Sequence, residues 1–367
     1  MKKLSISENR PLRVAGVSFD HMHMGDLLRQ AMEHPEVEIV GLCEDNPANR
    51  DAVENTLARL KLSQDLVFTD CASCLGSTQP DLVILCAATA RHAEYAERIA
   101  RHPVHLLVEK PFAANLADAD RMIEAMRQSG HQLAINWPLA WYPPHLTTKR
   151  LITEGAIGEP YEVHYYDGNR GPTRHLAGKE EIPEEEAIRR MQTTWWYRKE
   201  EGGGSLLDYL GYGVTLGTWF FDGKAPREVN ATTWGRAGLA VDEQSVTVCR
   251  YESGLSTFQT RWGTFSDPWT HQPQPKCGFV IVGSEGTLSS YDYADTVRLQ
   301  TLDEPAGVDL PVDQPPPEMS GPLAHMVPYL RGEIPLHGPL TMEICRIGQR
   351  IVDAAVESAQ SGRPISL

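Results

Sequence analysis

In the stretch HLLVEKP, His105–Pro111, an apolar run gives way at once to a glutamate and a lysine. Such a run reads as a strand buried on both faces, so Glu109 and Lys110 fall at its carboxyl end. That edge is where open α/β sheets bind their ligands. Further on, EGGGSLLDYLGYG, Glu201–Gly213, brings three glycines and then Asp208 and Tyr212. Glycines let a backbone approach a ligand closely. Helix positions i and i+4 share one face, so the carboxylate and the phenol stand together inside an apolar stretch that runs to Phe221. Polar groups so placed need partners or a task. A lysine, a carboxylate and a phenol at one cleft can move a proton and hold hydroxyl groups. The same residues also read more plainly, as a surface ion pair and as a core helix with a structural aspartate.

A second group lies at the first turn. A dinucleotide-binding turn carries G-x-G-x-x-G after its first strand. Here that spacing falls on Gly16, Ser18 and His21, so only the first glycine is kept. Ser18 is small enough for a pyrophosphate to approach the backbone, whereas His21 is bulky where close helix–strand packing favours no side chain. The second strand ends in Cys43-Glu44-Asp45, and Glu44 lies 28 residues after Gly16. A carboxylate there can accept from both hydroxyls of an adenosine ribose and would repel a 2′-phosphate, which favours NAD over NADP. The pair His21 and His23 has no evident third ligand in the sequence, so no metal is expected, and the pair is placed near the phosphates or the cleft.

The elements that must position these groups follow from periodicity. Leu12–Val17, Val37–Cys43, Asp81–Ala87, His105–Val108 and Gln132–Ile135 read as strands. Gly25–Glu33, Asp51–Leu60, His92–Ala100 and Asn115–Gln128 read as helices between them. Regular β-α alternation argues for a doubly wound parallel sheet, a Rossmann dinucleotide-binding domain over residues 1–135. From Asn136 the character changes. Tyr161–Tyr166, Glu228–Trp234, Ser245–Tyr251, Ser256–Arg261 and Phe279–Val282 read as strands without strict helical alternation. Residues 136–367 are therefore read as an α+β domain for substrate binding and oligomerisation, with a large, mostly antiparallel open sheet. Asp303–Pro322 reads as a surface loop, and Leu340–Gln360 as a final amphipathic helix.

HLLVEKP and GGGSLLDYLGY together resemble the Gfo/Idh/MocA oxidoreductases, and the resemblance extends along essentially the whole chain, through His92 to VGSEGTL, Val282–Leu288. It implies that Lys110 lies between nicotinamide and substrate, and that Asp208 and Tyr212 occupy the family's aspartate and histidine positions. A tyrosine there is similar to the glucose–fructose oxidoreductase and dihydrodiol dehydrogenase branches. The implied cofactor is NAD, held by Gly16, Ser18, His21, Glu44, Ala87, His92, Glu109 and Lys110. Two departures stand out: the degenerate glycine turn, and Ala140 where spacing from Pro143 and Gly155 places a family arginine.

The resemblance implies hydride transfer between nicotinamide and a sugar or polyol carbinol, for which a group must take or give the hydroxyl proton. Either Tyr212, its anion stabilised by Lys110, or Lys110 itself can serve, with Asp208 holding a neighbouring hydroxyl. Trp137, Trp141, Trp195 and Trp196 flank the cleft segments and could stack on sugar rings. Arg170 and Arg174 could recognise an anionic sugar, or pair with the acidic run Glu180–Glu186. Two other functions use the same residues. One is a glycoside hydrolase with tightly bound NAD that works by transient oxidation and elimination. The other is a catalytically silent dinucleotide-binding sensor.

Composition bounds these readings. The 367 residues are 41% hydrophobic and 23% charged, an ordinary globular balance. The net charge of −15 argues against nucleic acid and membrane partners. Seven cysteines, with a single CxxC at Cys71 and Cys74, are neither a disulfide framework nor a zinc site. The N-terminal stretch Met1–Val14 lacks a secretory apolar segment, and no apolar run reaches the roughly 20 residues of a bilayer span. The expectation is a cytoplasmic enzyme acting on a small carbohydrate, assembled as a homodimer or homotetramer.

Overall fold

Six parallel strands, β1 (Leu12–Val17), β2 (Val37–Cys43), β3 (Val67–Phe68), β4 (Leu82–Leu85), β5 (His105–Glu109) and β6 (Leu133–Asn136), form the first sheet in the order β3-β2-β1-β4-β5-β6. These assignments come from a computed structural model that describes residues 10–367; the first nine residues, part of the stretch read above for a leader, lie outside the described residues. Helices α1 (His23–Glu33), α2 (Arg50–Leu60), α3 (Cys71–Thr78), α4 (His92–Ile99) and α5 (Leu116–Ser129) connect them. β4 and β5 are buried at every position, which explains their unbroken apolar sequence: helices cover both faces. Local chemistry sets the helix ends. Asn115 accepts from the Asp118 amide at the start of α5, and Gly130 ends it in the left-handed region. The strand order reverses between β1 and β4, which opens a crevice at their carboxyl ends.

The second sheet has nine strands in the order β14-β13-β12-β11-β7-β10-β9-β8-β15. They are β7 (Pro160–Asn169), β8 (Glu228–Trp234), β9 (Gln244–Arg250), β10 (Leu255–Trp262), β11 (Gly278–Gly283), β12 (Gly286–Tyr291), β13 (Thr296–Thr301), β14 (Val308–Pro311) and β15 (Ile365–Ser366). Every pairing is antiparallel except β7 with β10. Burial alternates along β9 and β10, as expected for a sheet covered on one face. Helices α6 (Pro143–Thr153), α7 (Glu184–Met191), α8 (Ser205–Phe220), α9 (Pro322–Arg331) and α10 (Met342–Ser361) complete the chain. Of these, α8 sits directly on the sheet: a Cβ at Gly213 would come 2.2 Å from the Tyr165 ring, so the missing side chain sets the approach.

The strands read from sequence match to within a few residues. Asp303–Pro322, read as a loop, instead contains β14 and a short 3₁₀ turn at Pro317–Met319. The final helix begins at Met342, because Gly338–Leu340 forms a separate turn opened by Pro339. Helices α3, α6, α7 and α9 and strands β12 and β13 were not foreseen.

Candidate active site

Lys110 follows the carboxyl end of β5, and α8 projects Asp208, Tyr209 and Tyr212 toward it from the other sheet's side. Lys110 Nζ donates to Asp208 Oδ1 at 2.7 Å, with both side chains at most 5% exposed. Trp262 Nε1 donates to the other oxygen of Asp208 at 3.2 Å. The ammonium lies 5.7 Å from the Tyr209 ring centroid and 5.4 Å from that of Tyr212. Lys110, Asp208, Tyr209 and Tyr212 line a cavity of about 560 Å³ together with His21, His23, Trp141, Asp167, His175, Trp196 and Asp292.

Burial, reinforced by the Glu109 and Asp208 carboxylates, pushes the Tyr212 phenol well above its ordinary range. This direction favours the phenol over the phenolate, and with it a hydrogen-bond donor at Tyr212. Asp167 is raised to about 7, by burial first and the neighbouring Asp292 carboxylate second. Asp292 in turn pairs with His145 Nε2 at 2.8 Å. Burial holds His175 down at about 3, as a neutral imidazole. Asp167, Asp292 and His175 were missed from sequence, where each is an isolated residue far from the two motifs; Tyr209 lies within the second motif, but one position from Asp208 it does not share the helix face of Asp208 and Tyr212.

The first turn is closed by its own side chains. Ser18 adopts φ 63° and donates its amide to Cys43 O at 2.9 Å. The Phe19 amide donates to Glu44 Oε2 at 2.7 Å, and Glu44 also accepts from the Asn46 amide and Asn49 Nδ2. Asp20 accepts from the Ala88 amide at 2.8 Å, from Ser18 Oγ at 3.1 Å and from Asn49 Nδ2 at 2.6 Å. One carboxylate thus ties together the loops after β1, β2 and β4. The His21 amide bonds Cys86 O at 3.0 Å, and the His23 amide bonds His21 Nδ1 at 3.1 Å. His21 Nε2 is buried without a partner, a state that costs about 1–3 kcal/mol when left unmet.

A dinucleotide fits the two ends of this crevice better than its middle. Glu44 stands at the end of β2, where an adenosine ribose is held, and Lys110 and the unpartnered His21 Nε2 face the cavity. Between them, amides that would receive a pyrophosphate are engaged by Glu44 and by the turn itself. The Asp20 carboxylate occupies the junction of the three loops. Gly16 serves packing: a Cβ there would lie 2.9 Å from Met24 Sδ. Ala87 is buried, and its carbonyl meets His92 Nε2 at 3.0 Å, while His92 Nδ1 meets Phe112 O at 3.0 Å. His92 thus lies between two carbonyl oxygens, and its neutral ring, favoured by burial, donates to one of them and clips that loop. Glu109 is fully buried, with its oxygens on His23 Nδ1 and Asn136 Nδ2.

Of the tryptophans, Trp141 and Trp196 line the cavity. Trp137 is buried behind it, its ring edge-on to Tyr212 at 5.5 Å. Trp195 stacks on Trp196 at 4.6 Å and donates Nε1 to Asp20 O at 3.1 Å, so it braces the first turn. Arg170 and Arg174 do not face this cavity. They line a separate one of about 300 Å³, where Arg170 meets Glu181 at 3.4 Å and Arg174 pairs with Glu184. The nearby acidic run pairs with them, the plainer of the two readings of this loop.

Residues 14–137 match the model of the oxidoreductase family with an NAD-binding Rossmann fold, and residues 145–289 match the GFO/IDH/MocA C-terminal domain. The chain belongs to the Gfo/Idh/MocA oxidoreductase family. D-apiose dehydrogenase of Paraburkholderia graminis is 23% identical over 343 residues, covering 90% of this chain and 83% of that protein. Myo-inositol 2-dehydrogenase of Thermotoga maritima is 28% identical over 124 residues, 33% of this chain and 37% of that one. The fold also matches aldose-aldose oxidoreductase from Caulobacter crescentus, solved with glycerol, at TM-score 0.76 and 18% identity, covering 98% and 100% of the two chains. The relatives include sugar and polyol dehydrogenases. Among the described residues, no helix is long and apolar enough to cross a membrane.

Proposed function

We propose that this chain is an NAD-dependent oxidoreductase acting on a carbinol carbon of a neutral sugar or polyol. The observation that carries the reading is the buried Lys110–Asp208 pair, 2.7 Å apart on the wall of a polar, aromatic-flanked cavity. A cavity of this size suits a monosaccharide-sized ligand. Trp141 and Trp196 offer flat faces for a sugar ring. Lys110 Nζ, as the free amine, takes the proton of the reacting hydroxyl while the hydride leaves the carbinol carbon, and becomes the ammonium that Asp208 holds; as the ammonium it returns that proton in the reverse reaction. Asp208 fixes the ammonium and accepts from an adjacent hydroxyl. Tyr212, protonated, donates to the same reacting oxygen. NAD, when bound, supplies the hydride acceptor, with Glu44 on its ribose and the Ser18–His21 turn beside its phosphates. The acidic end of β2 favours NAD over NADP.

The seven cysteines are all free and buried, which suits a reducing, cytoplasmic setting. The outer face of the nine-stranded sheet is the surface on which a homodimer or homotetramer would form, and light scattering at micromolar concentration checks this. The function is tested by mixing the purified chain with NAD, then separately NADP, and a panel of aldoses and polyols while following reduced nicotinamide. The reading expects turnover with NAD that falls by at least about 10²-fold in Lys110→Met. No reduction with any substrate, or full activity in that variant, would overturn it.

A further inference from the structure

Two histidines of the first turn and a carboxylate from β5 converge at the cavity wall. His21 and His23 precede and open α1, and Glu109 lies 86 positions beyond His23. One ligand-capable atom from each lies within 4.8 Å of the other two. His23 Nδ1 and Glu109 Oε1 are 2.9 Å apart, and the two imidazole rings are 4.3 Å apart. Independently, His21 Nε2 is buried and unpartnered, in a residue only 2% exposed. Asn136 Nδ2 donates to the second oxygen of Glu109 at 2.8 Å and fixes the carboxylate, as an outer partner of a ligand does.

We propose that His21, His23 and Glu109 bind one divalent first-row transition-metal ion, with its remaining coordination positions open to the substrate cavity. Two imidazoles and one carboxylate without a thiolate suit zinc, iron(II), cobalt(II) or manganese(II) and disfavour copper(I). In the metal-free ring, His21 Nδ1 accepts the His23 amide at 3.1 Å, so the ring proton sits on Nε2. Ligation through Nε2 moves that proton to Nδ1 and gives up the long amide contact. The open positions face Lys110 and Asp208 across the same cavity, so the ion would take two adjacent oxygens of a polyhydroxylated ligand and polarise one as a Lewis acid. The site does not depend on the nicotinamide reading, because binding is measured without nucleotide or turnover.

The test strips the full chain with a chelator and titrates it with cobalt(II), and with zinc(II) against a chromogenic competitor. The proposal expects one ion per chain, a cobalt spectrum without a thiolate charge-transfer band, and a rise in thermal midpoint on binding. His21→Ala and His23→Ala should each weaken binding by at least about 100-fold, and Asn136→Ala by about 10–100-fold. His23, whose side chain is 27% exposed, tolerates truncation even if the His21 variant fails to fold. Absence of binding below about 1 mM to the wild-type chain, a thiolate band from the buried cysteines, or unchanged affinity in His23→Ala would each overturn the proposal.

Discussion

Replacing Lys110 with Met separates the functional role of the Lys110–Asp208 pair from its structural one. The substitution leaves Asp208, itself 3% exposed, with a single remaining donor, Trp262 Nε1 at 3.2 Å. Removing one partner of a buried ion pair costs about 3–5 kcal/mol, because the other charge stays desolvated. At about 2–4 °C per kcal/mol, the thermal midpoint should drop by roughly 6–20 °C. Removing both charges should cost less, since no uncompensated ion remains. Lys110→Met/Asp208→Asn is therefore expected to recover at least half of the stability lost in Lys110→Met, so the double variant should lose clearly less than the sum of the two single variants. Its turnover should stay as low as that of the single variant, because the proton carrier is gone. Thermal unfolding and steady-state rates on the four proteins give both readouts. A double variant that regains turnover would refute the role given to Lys110, and single variants whose losses simply add would refute the coupled pair.

Three more perturbations follow from the geometry. Asp20→Ala clears the carboxylate from the junction of the three loops and should tighten NAD binding by about tenfold or more at low salt, as seen by tryptophan fluorescence titration; unchanged affinity would mean the pyrophosphate lies elsewhere. Tyr212→Phe removes a neutral donor and should lower turnover by about tenfold while leaving the shape of the pH–rate profile intact; loss of the profile's rising limb would instead identify the phenol as the titrating base. Asp167, raised to about 7 by burial and Asp292, binds a proton in the folded state that it has lost in the unfolded chain. Its contribution to stability is full below the unfolded value near 4 and is lost as pH rises through about 7, so Asp167→Asn should flatten the fall in stability over that window. A wild-type midpoint that rises across the same window, with or without the substitution, would contradict this.

The first sheet was readable because burial on both faces erases alternation. DLVILCA and HLLVE are strands whatever surrounds them. Strands β12 and β13 lie toward one end of the second sheet, and their sequences, GTLSSY and TVRLQT, carry few apolar residues to mark a buried face. Helix α9 has Pro328 inside it, which argues against a helix until the packing of Leu323, Met326 and Leu330 is known. At the site, Lys110, Asp208 and Tyr212 were legible because a strand end and a helix face placed each of them locally. What local pattern could not supply was the partner of each group. The basic loop around Arg170 and Arg174 reads the same whether it meets a ligand or Glu181 and Glu184. His21 and His23 lacked a third ligand in sequence because Glu109 reaches them only through the β1-β4-β5 order of the sheet. Closure of the first turn by Asp20 depends on Ala88 and Asn49, two residues no motif connects to it.

The most direct test of the central claim follows the hydrogen itself. A sugar or polyol found active with the chain is prepared with deuterium at the reacting carbon, and the nicotinamide recovered after turnover is weighed by mass spectrometry. The account predicts one deuterium in each reduced nicotinamide, formed by Lys110→Met in at least about 100-fold smaller amount than by the wild-type chain over the same time. Product formed without label in the nicotinamide, or equal amounts of labelled nicotinamide from both proteins, would contradict it.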